Sequence, residues 1–162
     1  MVRVFIGVGS NVDRDNRIRS GVSEIKDRFA DIVVSSVYES KAIGFEGENF
    51  YNMVIGFLTD LDAPELSSTL REIEYDHGRV RNITRYSPRT LDLDLLLYGD
   101  LVCHDSYVDV PRDDIVKYAF VLCPLAEIAG DLMHPETGES FAELWDSFDG
   151  KGQELCRINF EF

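Results

Sequence analysis

Two hydrophobic patterns, strict alternation and helical spacing, divide the first half of the chain into strands and helices. Val2 to Val8 alternates and is rich in β-branched residues, which predicts a strand. Apolar residues recur at helical spacing from Asp13 to Phe29, which predicts an amphipathic helix. Further strands are predicted for Asp31 to Tyr38 and for Asn52 to Leu58, and a second helix runs from Ala63 to about His77.

A fourth predicted strand completes the pattern and suggests a fold class. Leu91 to Tyr98 is apolar at almost every position except Asp92 and Asp94, as expected for a buried strand. The order strand, helix, strand, strand, helix, strand is that of a ferredoxin-like α+β sandwich with a βαββαβ core. We therefore predict this fold class.

The pattern in the last third of the chain predicts further strands and helices outside that core. Asp105 to Asp109 is compatible with a short strand, and Asp113 to Ile128 is predicted to be largely helical. Ser140 to Phe148 predicts a short helix, and the alternation from Leu155 to Phe162 is compatible with a final strand. Without a linker or an internal repeat, residues 1–162 are predicted to form one domain.

A strongly acidic composition narrows the possible partners. The formal net charge of the 162 residues is -14, and the sequence pI is about 4.5. This charge disfavours binding to duplex nucleic acid or to an anionic membrane surface. No apolar run reaches the length of a membrane span, and the first residues do not resemble a signal peptide. We expect a cytoplasmic monomer or weak homo-oligomer with neither nucleic-acid nor membrane partners.

The most informative stretch, residues 78–94, combines a basic loop with an acidic strand. Four arginines fall within eleven residues, in a segment whose Gly, Asn, Ser and Pro residues predict a loop. Asp92 and Asp94 follow at i and i+2 of the apolar strand, so their carboxylates share a face about 6 to 7 Å apart. Mg²⁺ is usually held by one or two carboxylates together with substrate phosphates. An Asp-x-Asp pair alone is weak evidence, since Asp60-Leu-Asp62 repeats it, but the combination with the arginines favours a metal-phosphate site.

These residues closely resemble the signature of the hydroxymethyldihydropterin pyrophosphokinase family of folate biosynthesis. The signature is carried by Gly78-Arg79-Val80-Arg81 and by Ser87-Pro88-Arg89-Thr90-Leu91-Asp92-Leu93-Asp94. Three other segments fit the family: Gly7-Val8-Gly9-Ser10-Asn11, interpreted as a tight turn after the first strand, Asn49-Phe50-Tyr51-Asn52, and Ala119-Phe120-Val121-Leu122-Cys123-Pro124-Leu125.

The resemblance implies an enzyme that transfers pyrophosphate from ATP to the hydroxymethyl group of a reduced pterin and releases AMP. Asp92 and Asp94 would hold two Mg²⁺ ions that bridge the triphosphate. The implied catalytic residues are Arg79, Arg89, Asp92 and Asp94. The implied nucleotide-binding residues are Glu74, Arg81, Arg85, Tyr86, Arg112 and Lys117. The implied pterin-binding residues are Ser40, Ala42, Ile43, Phe50, Asn52 and Phe120.

The chemistry of a pterin fits this last set. A flat heterocycle binds between aromatic faces and needs in-plane donors and acceptors. Phe50 and Phe120 supply the rings, and the amide of Asn52 can both donate and accept. The sequence alone also allows both rings to be ordinary core aromatics, and it leaves open whether Phe50 or Tyr51 faces the ligand.

The chain departs from the family pattern between residues 107 and 118. Arg112 stands where similar enzymes have a phosphate-contacting histidine, and Tyr118 stands where they have an arginine. Tyr107 replaces a position that is often basic. Lys117 can compensate only in part, so we expect weaker nucleotide binding.

Two alternatives stay open, the first because of these departures and the second because of the fold. One is a divergent paralogue that transfers phosphate or pyrophosphate to another small alcohol. The other is a non-catalytic Mg-nucleotide-binding or RNA-binding module on the same sandwich, since fold alone decides no function.

Overall fold

The computed structural model describes residues 1–41, 47–78 and 91–162. The first strands and helices follow the order that the hydrophobic pattern predicts, except that one predicted strand is divided into two. The elements of the described residues are, in chain order, β1 (Val2–Ser10), α1 (Arg14–Arg28), β2 (Ala30–Val34), β3 (Val37–Ser40), β4 (Phe50–Thr59), α2 (Ala63–Asp76), β5 (Asp92–Tyr98), β6 (Cys103–His104), β7 (Asp109–Val110), α3 (Asp114–Lys117), α4 (Ala119–Ala129), α5 (Phe141–Asp146) and β8 (Leu155–Ile158).

The main sheet has the antiparallel strand order of a ferredoxin-like fold. Its order is β5-β1-β4-β3-β8, and β2 pairs beside β3 on the same side of β4. The central strand β1 pairs with β4 along its whole length, from Val2 opposite Thr59 to Ser10 opposite Tyr51. The predicted α+β sandwich is confirmed, and β8 confirms the final strand, although it ends at Ile158.

The two faces of the sheet carry different helices because side chains alternate along each strand. Val4, Ile6 and Val8 of β1 pack in one buried cluster with residues of α1 and α2. Phe5 packs in a second cluster with Val54 and with residues of α4 and α5. The additional C-terminal helices therefore cover the face that α1 and α2 leave open.

Helix α2 has a well-defined start and end. The carboxylate of Asp62 accepts a hydrogen bond from the backbone N–H of Glu65, whose side chain accepts in return from the N–H of Asp62, a capping box. At the other end the buried ring of His77 bonds to the hydroxyl of Ser20 at 2.7 Å and to the carbonyl of Ile73 at 2.8 Å. His77 therefore closes the helix, and the chain turns at Gly78, whose φ is 94°.

The single strand predicted from Asp31 to Tyr38 is wrong, because the structure has two strands separated at Ser35. The buried Ser35 hydroxyl accepts from the backbone N–H of Val54 at 2.9 Å, and the Ser35 N–H donates to the carbonyl of Val54. A serine side chain therefore replaces a backbone partner in the ladder, and the strand is interrupted there.

Two further predictions are corrected downstream. The strand predicted from Asp105 to Asp109 is a turn between β6 and β7, because the Asp105 carboxylate accepts from the N–H groups of Tyr107 and Val108 at 2.8 and 2.7 Å. The segment from Asp113 to Ile128 is largely helical, as predicted, but it is divided into two helices, since Tyr118 is extended, with φ -123° and ψ 128°. Among the helices of the described residues, none is long and apolar enough to cross a membrane.

Candidate functional site

A cleft of about 720 Å³ opens over strands β1, β4 and β5. One wall is formed by the turn between β6 and β7 together with α3 and the start of α4. Helix α2 borders the opposite side through Ser67, Arg71 and Glu74. Polar side chains of three separate parts of the chain therefore meet at one cavity.

Two glycines of β1 form the floor of this cleft. Gly9 lies opposite Asn52 of β4 and Asp92 of β5, and Gly7 lies opposite Asp94. Directly opposed residues of antiparallel strands carry their side chains on the same face. Asp92, Asp94 and Asn52 therefore share one face of the sheet, with no side chain between them. The tight turn predicted for this segment is corrected, because both glycines lie within β1, which continues to Ser10.

One member of the acidic pair, Asp94, lies beside a half-buried cation. In the guanidinium of Arg112, Nη2 lies 3.8 Å from Oδ1 of Asp94, and Nε lies 3.2 Å from Oδ2 of Asp114. The negative charge of Asp94 is the largest cause that raises the pKa of Arg112 above its usual range, so this side chain is a permanent cation. The backbone N–H of Arg112 donates to the carbonyl of Leu96 at 2.9 Å, which fixes its position beside β5.

The donor chemistry of Asp92 and Asp94 fits Mg²⁺. Both side chains are partly exposed to the cleft, and both offer only oxygen ligands. Within residues 1–41, 47–78 and 91–162, no cluster of three or more His, Cys, Asp or Glu side chains could hold a metal ion. A cation at this pair would therefore complete its coordination with water and substrate oxygens.

The remaining predicted nucleotide-binding residues that the structure describes, Glu74 and Lys117, also line the cleft. Glu74 is buried on α2. The ammonium of Lys117 lies 2.5 Å from a carboxylate oxygen of Asp113, one turn earlier in the chain, and this hydrogen bond raises the pKa of Lys117. Together with Arg112 these residues form the charged end of the cleft.

The other end of the cleft is neutral and aromatic. The side-chain amide of the buried Asn52 donates to the hydroxyl of Ser40 at 2.8 Å. Phe50 and Phe120 both border the cavity, and the ring of Tyr118 stacks on Phe120 at a centroid distance of 5.1 Å. This acceptor end offers two rings and an oriented amide.

The register of β4 decides which of two neighbouring aromatic residues faces the cleft. Phe50 lies two positions before Asn52 and therefore on the same face. Tyr51 points to the opposite face, where its ring meets Phe160 edge-on at 6.1 Å and lies beneath the guanidinium of Arg14 at 4.0 Å.

Seven predicted site residues lie outside the described residues and stay predictions. They are Ala42, Ile43, Arg79, Arg81, Arg85, Tyr86 and Arg89. The described members, Ser40, Phe50, Asn52, Glu74, Asp92, Asp94, Arg112, Lys117 and Phe120, all line the same cleft.

Sequence reasoning missed two parts of this site. The first is the floor of Gly7 and Gly9, which depends on pairings between distant strands. The second is the turn after β6, where Asp105 and Asp109 border the cleft. The Asp-Ser pair at 105 and 106 is a turn signal that could have located this wall.

Fold and site together define a class of protein: a ferredoxin-like sandwich with an open cleft that has a charged end and an aromatic end. The model of one family, described as 7,8-dihydro-6-hydroxymethylpterin-pyrophosphokinase (HPPK), matches residues 5–130. The chain belongs to this family of pyrophosphokinases, and the family prediction made from residues 78–94 is confirmed.

Relatives of known name agree with this assignment. The chain is 36% identical over 137 residues to the 2-amino-4-hydroxy-6-hydroxymethyldihydropteridine pyrophosphokinase of Aquifex aeolicus, covering 83% of this chain and 85% of that protein. It is 34% identical over 154 residues to the Bacillus subtilis protein of the same name, covering 90% and 92%. Among solved structures, Plasmodium falciparum HPPK-DHPS shares the fold with a TM-score of 0.69 at 12% identity. That match covers 90% of this chain but 41% of the Plasmodium chain.

Proposed function

We propose that this protein transfers the terminal pyrophosphoryl group of ATP to the hydroxymethyl group of 6-hydroxymethyl-7,8-dihydropterin, with Mg²⁺, in folate biosynthesis. The observation that carries the proposal is the strand register that brings Asp92, Asp94 and Asn52 to one face across two glycines. A triphosphate and a flat acceptor can thereby lie side by side on the floor of one cleft. Family membership supplies the reaction class.

The bonds that form and break in this reaction define the chemical requirements of the site. The acceptor oxygen bonds to the β-phosphorus of ATP, the bond from that phosphorus to the α-phosphate oxygen breaks, and AMP leaves. The hydroxyl proton is released to solvent. Phosphoryl transfer depends mainly on positioning and on electrostatic stabilisation, so no strong general base is required.

The charged end supports the binding of the triphosphate. Asp92 and Asp94 would hold Mg²⁺, which supplies charge neutralisation at the phosphate oxygens when it is bound. Arg112 presents a planar guanidinium that can bind two phosphate oxygens at once, as a point charge cannot. Lys117 adds a second cation from the α3 side of the cleft.

The acceptor end supports the binding of the pterin. Phe50 and Phe120 offer aromatic faces on two different elements, so a flat ring system can lie between them. The amide of Asn52 is oriented by Ser40, which leaves its carbonyl oxygen able to accept from a pterin N–H. A cytoplasmic monomer or weak homo-oligomer with two bound Mg²⁺ ions is part of the same proposal.

The decisive experiment measures AMP release from Mg-ATP by the purified protein, with and without 6-hydroxymethyl-7,8-dihydropterin. The pterin diphosphate is followed by mass spectrometry. We expect AMP and pterin diphosphate in equal amounts, and neither without the acceptor. Binding of Mg-ATP without pterin turnover would contradict the proposal and point instead to a paralogue with another acceptor.

A further inference from the structure

The junction between α3 and α4 carries two residues of the proposed site. Lys117 ends α3, and Phe120 lies in the first turn of α4, with Tyr118 extended between the helices. The first N–H groups of a helix have no partner within it and need one from outside. Ala119 begins α4 and is buried, so its N–H needs such a partner.

The side-chain amide of Gln153 bonds to two backbone groups at this junction. The N–H of Ala119 donates to Oε1 of Gln153 at 2.8 Å, and Nε2 of Gln153 donates to the carbonyl of Lys117 at 3.0 Å. One planar group therefore bridges the residues on either side of Tyr118. Gln153 is itself held by its N–H, which donates to the carbonyl of Gly150 at 2.8 Å.

The same short segment contacts the opposite wall of the acceptor end. Leu155, at the start of β8, lies opposite Ser40 of β3, the residue that accepts the hydrogen bond of Asn52. Gln153 and Leu155 are only two residues apart. Residues 153–155 therefore join the wall that carries Phe120 to the wall that carries Ser40 and Asn52.

We propose that Gln153 is a positioning residue for the pterin, because it fixes Phe120 relative to Phe50 and Asn52. It lies outside residues 5–130, the part of the chain that matches the family model. The inference rests on the proposed function, since it assigns a role toward the acceptor of that reaction. Without the amide, the start of α4 loses its cap, and the spacing between the two walls is no longer defined.

Two variants separate the hydrogen bonds of Gln153 from its shape. Gln153→Met keeps the length of the side chain and removes both bonds. Gln153→Glu keeps an acceptor for the N–H of Ala119 but has no donor for the carbonyl of Lys117. Ser140→Ala is the matched control, because the Ser140 hydroxyl caps α5 by accepting from the N–H of Glu143 at 3.1 Å, and Ser140 does not line the cleft.

Steady-state kinetics with varied pterin give the first readout. We expect Gln153→Met to raise KM for the pterin about tenfold, which corresponds to about 1.4 kcal/mol, with a smaller change in kcat. Gln153→Glu is expected to fall between this variant and the wild type. Ser140→Ala should leave KM for the pterin unchanged. An equal rise in Ser140→Ala would show general destabilisation and overturn the proposal.

Hydrogen exchange in the absence of substrates gives a readout that does not depend on activity. The amide of Ala119 should exchange faster in Gln153→Met than in the wild type. Unchanged exchange would overturn the clamp, meaning the two hydrogen bonds that Gln153 makes to Ala119 and Lys117. Faster exchange with an unchanged KM for the pterin would overturn the positioning role of Gln153. A wild-type protein that fails to turn over the pterin would instead refute the proposed function, while the exchange rate would still decide whether the clamp exists.

Discussion

The charged end and the acceptor end of the cleft are held together by different kinds of interaction. At the acceptor end, neutral groups are fixed by a buried hydrogen bond from Asn52 to Ser40 and by the stacking of Tyr118 on Phe120. At the charged end, Arg112 and Lys117 lie against carboxylates of the protein itself. The first arrangement resembles a packed core, and the second is an ion-pair network.

From this difference we infer which end rearranges when substrates bind. At the acceptor end, the bond from Asn52 to Ser40 uses the amide nitrogen and leaves the amide oxygen for a ligand. Under the proposed function, the cations of the charged end would exchange protein carboxylates for phosphate oxygens, in a molecule with a net charge of -14. Because salt screens charges beyond about 8 Å, the local cations rather than the overall field decide phosphate affinity.

The largest effect is expected from Asp94→Asn, which keeps the shape of the charged end and removes one negative charge. Turnover should fall by about 10²- to 10³-fold, the range typical for loss of one electrostatic contact to the transition state. Because Asp94 is partly exposed and 3.8 Å from Arg112, the free energy of unfolding should change by less than about 1 kcal/mol.

Rate assays and urea unfolding measure these two quantities. Asp60→Asn is the matched control, because Asp60 belongs to the other Asp-x-Asp pair and does not line the cleft. If Asp94→Asn retained wild-type turnover, the charged end would not be the site of transfer.

A smaller effect, confined to the acceptor end, is expected from Asn52→Ala. Loss of the buried amide should raise KM for the pterin by about tenfold to a hundredfold, since a mispaired buried polar group costs about 1–3 kcal/mol. The affinity for Mg-ATP should stay the same, as measured by calorimetry. Asn16→Ala, on the exposed surface of α1, should change neither value. Equal losses of pterin and nucleotide affinity would show that the two ends are not separate.

Tyr118→Arg tests whether the charged end lacks a cation that would strengthen nucleotide binding. An added guanidinium should lower KM for Mg-ATP about fivefold, the factor that corresponds to an exposed ion pair of about 1 kcal/mol. Tyr118→Phe keeps the stacking on Phe120 without a charge and should leave this KM unchanged. If Tyr118→Arg raised KM for Mg-ATP, residue 118 would serve the acceptor end only.

The smallest effect concerns two histidines near the wall of the charged end. His104 bonds to Asp109 at 2.5 Å and to Glu136 at 2.9 Å, and these carboxylates raise its pKa above the ordinary 6.5. Burial lowers the pKa of His134, whose Nδ1 accepts from the N–H of Glu136.

The signs of their contributions to stability are opposite. The contribution of His104 is fully present below pH 6.5 and is lost as the pH rises through its raised pKa. The contribution of His134 is present above pH 6.5 and is lost as the pH falls toward its lowered pKa. NMR titration of the two imidazoles should give one midpoint on each side of the ordinary value. Two equal midpoints would contradict at least one of the two environments.

The elements of this fold follow from local patterns, whereas the site depends on contacts between distant segments. The leucine run of β5 and the spacing of the aspartates could be interpreted correctly because burial and alternation act within a few residues. The pairing of Gly9 with both Asn52 and Asp92 joins strands far apart in the sequence, so no local pattern contains it.

Two of the errors share one cause, a side chain or backbone group that bonds outside the expected pattern. Ser35 looks like a strand residue, but its hydroxyl interrupts the ladder. Tyr118 looks like a helix residue, but it is extended where Gln153 bonds to the backbone on either side. Such contacts form only after folding, so propensity cannot predict them.

The glycines at positions 7 and 9 imply that this protein is less stable than its fold permits. Neither has a positive φ, so alanine would suit the strand conformation and would reduce the entropy of the unfolded chain, by about 0.4–1 kcal/mol. A Cβ at Gly9 would lie 3.6 Å from Oδ1 of Asn52 and 3.8 Å from Cδ1 of Phe50, which are ordinary contacts. The added methyl group would nevertheless occupy part of the cleft that the proposed function assigns to substrate. The absence of side chains at these two positions therefore keeps the cleft open, and the central strand is less stable as a result.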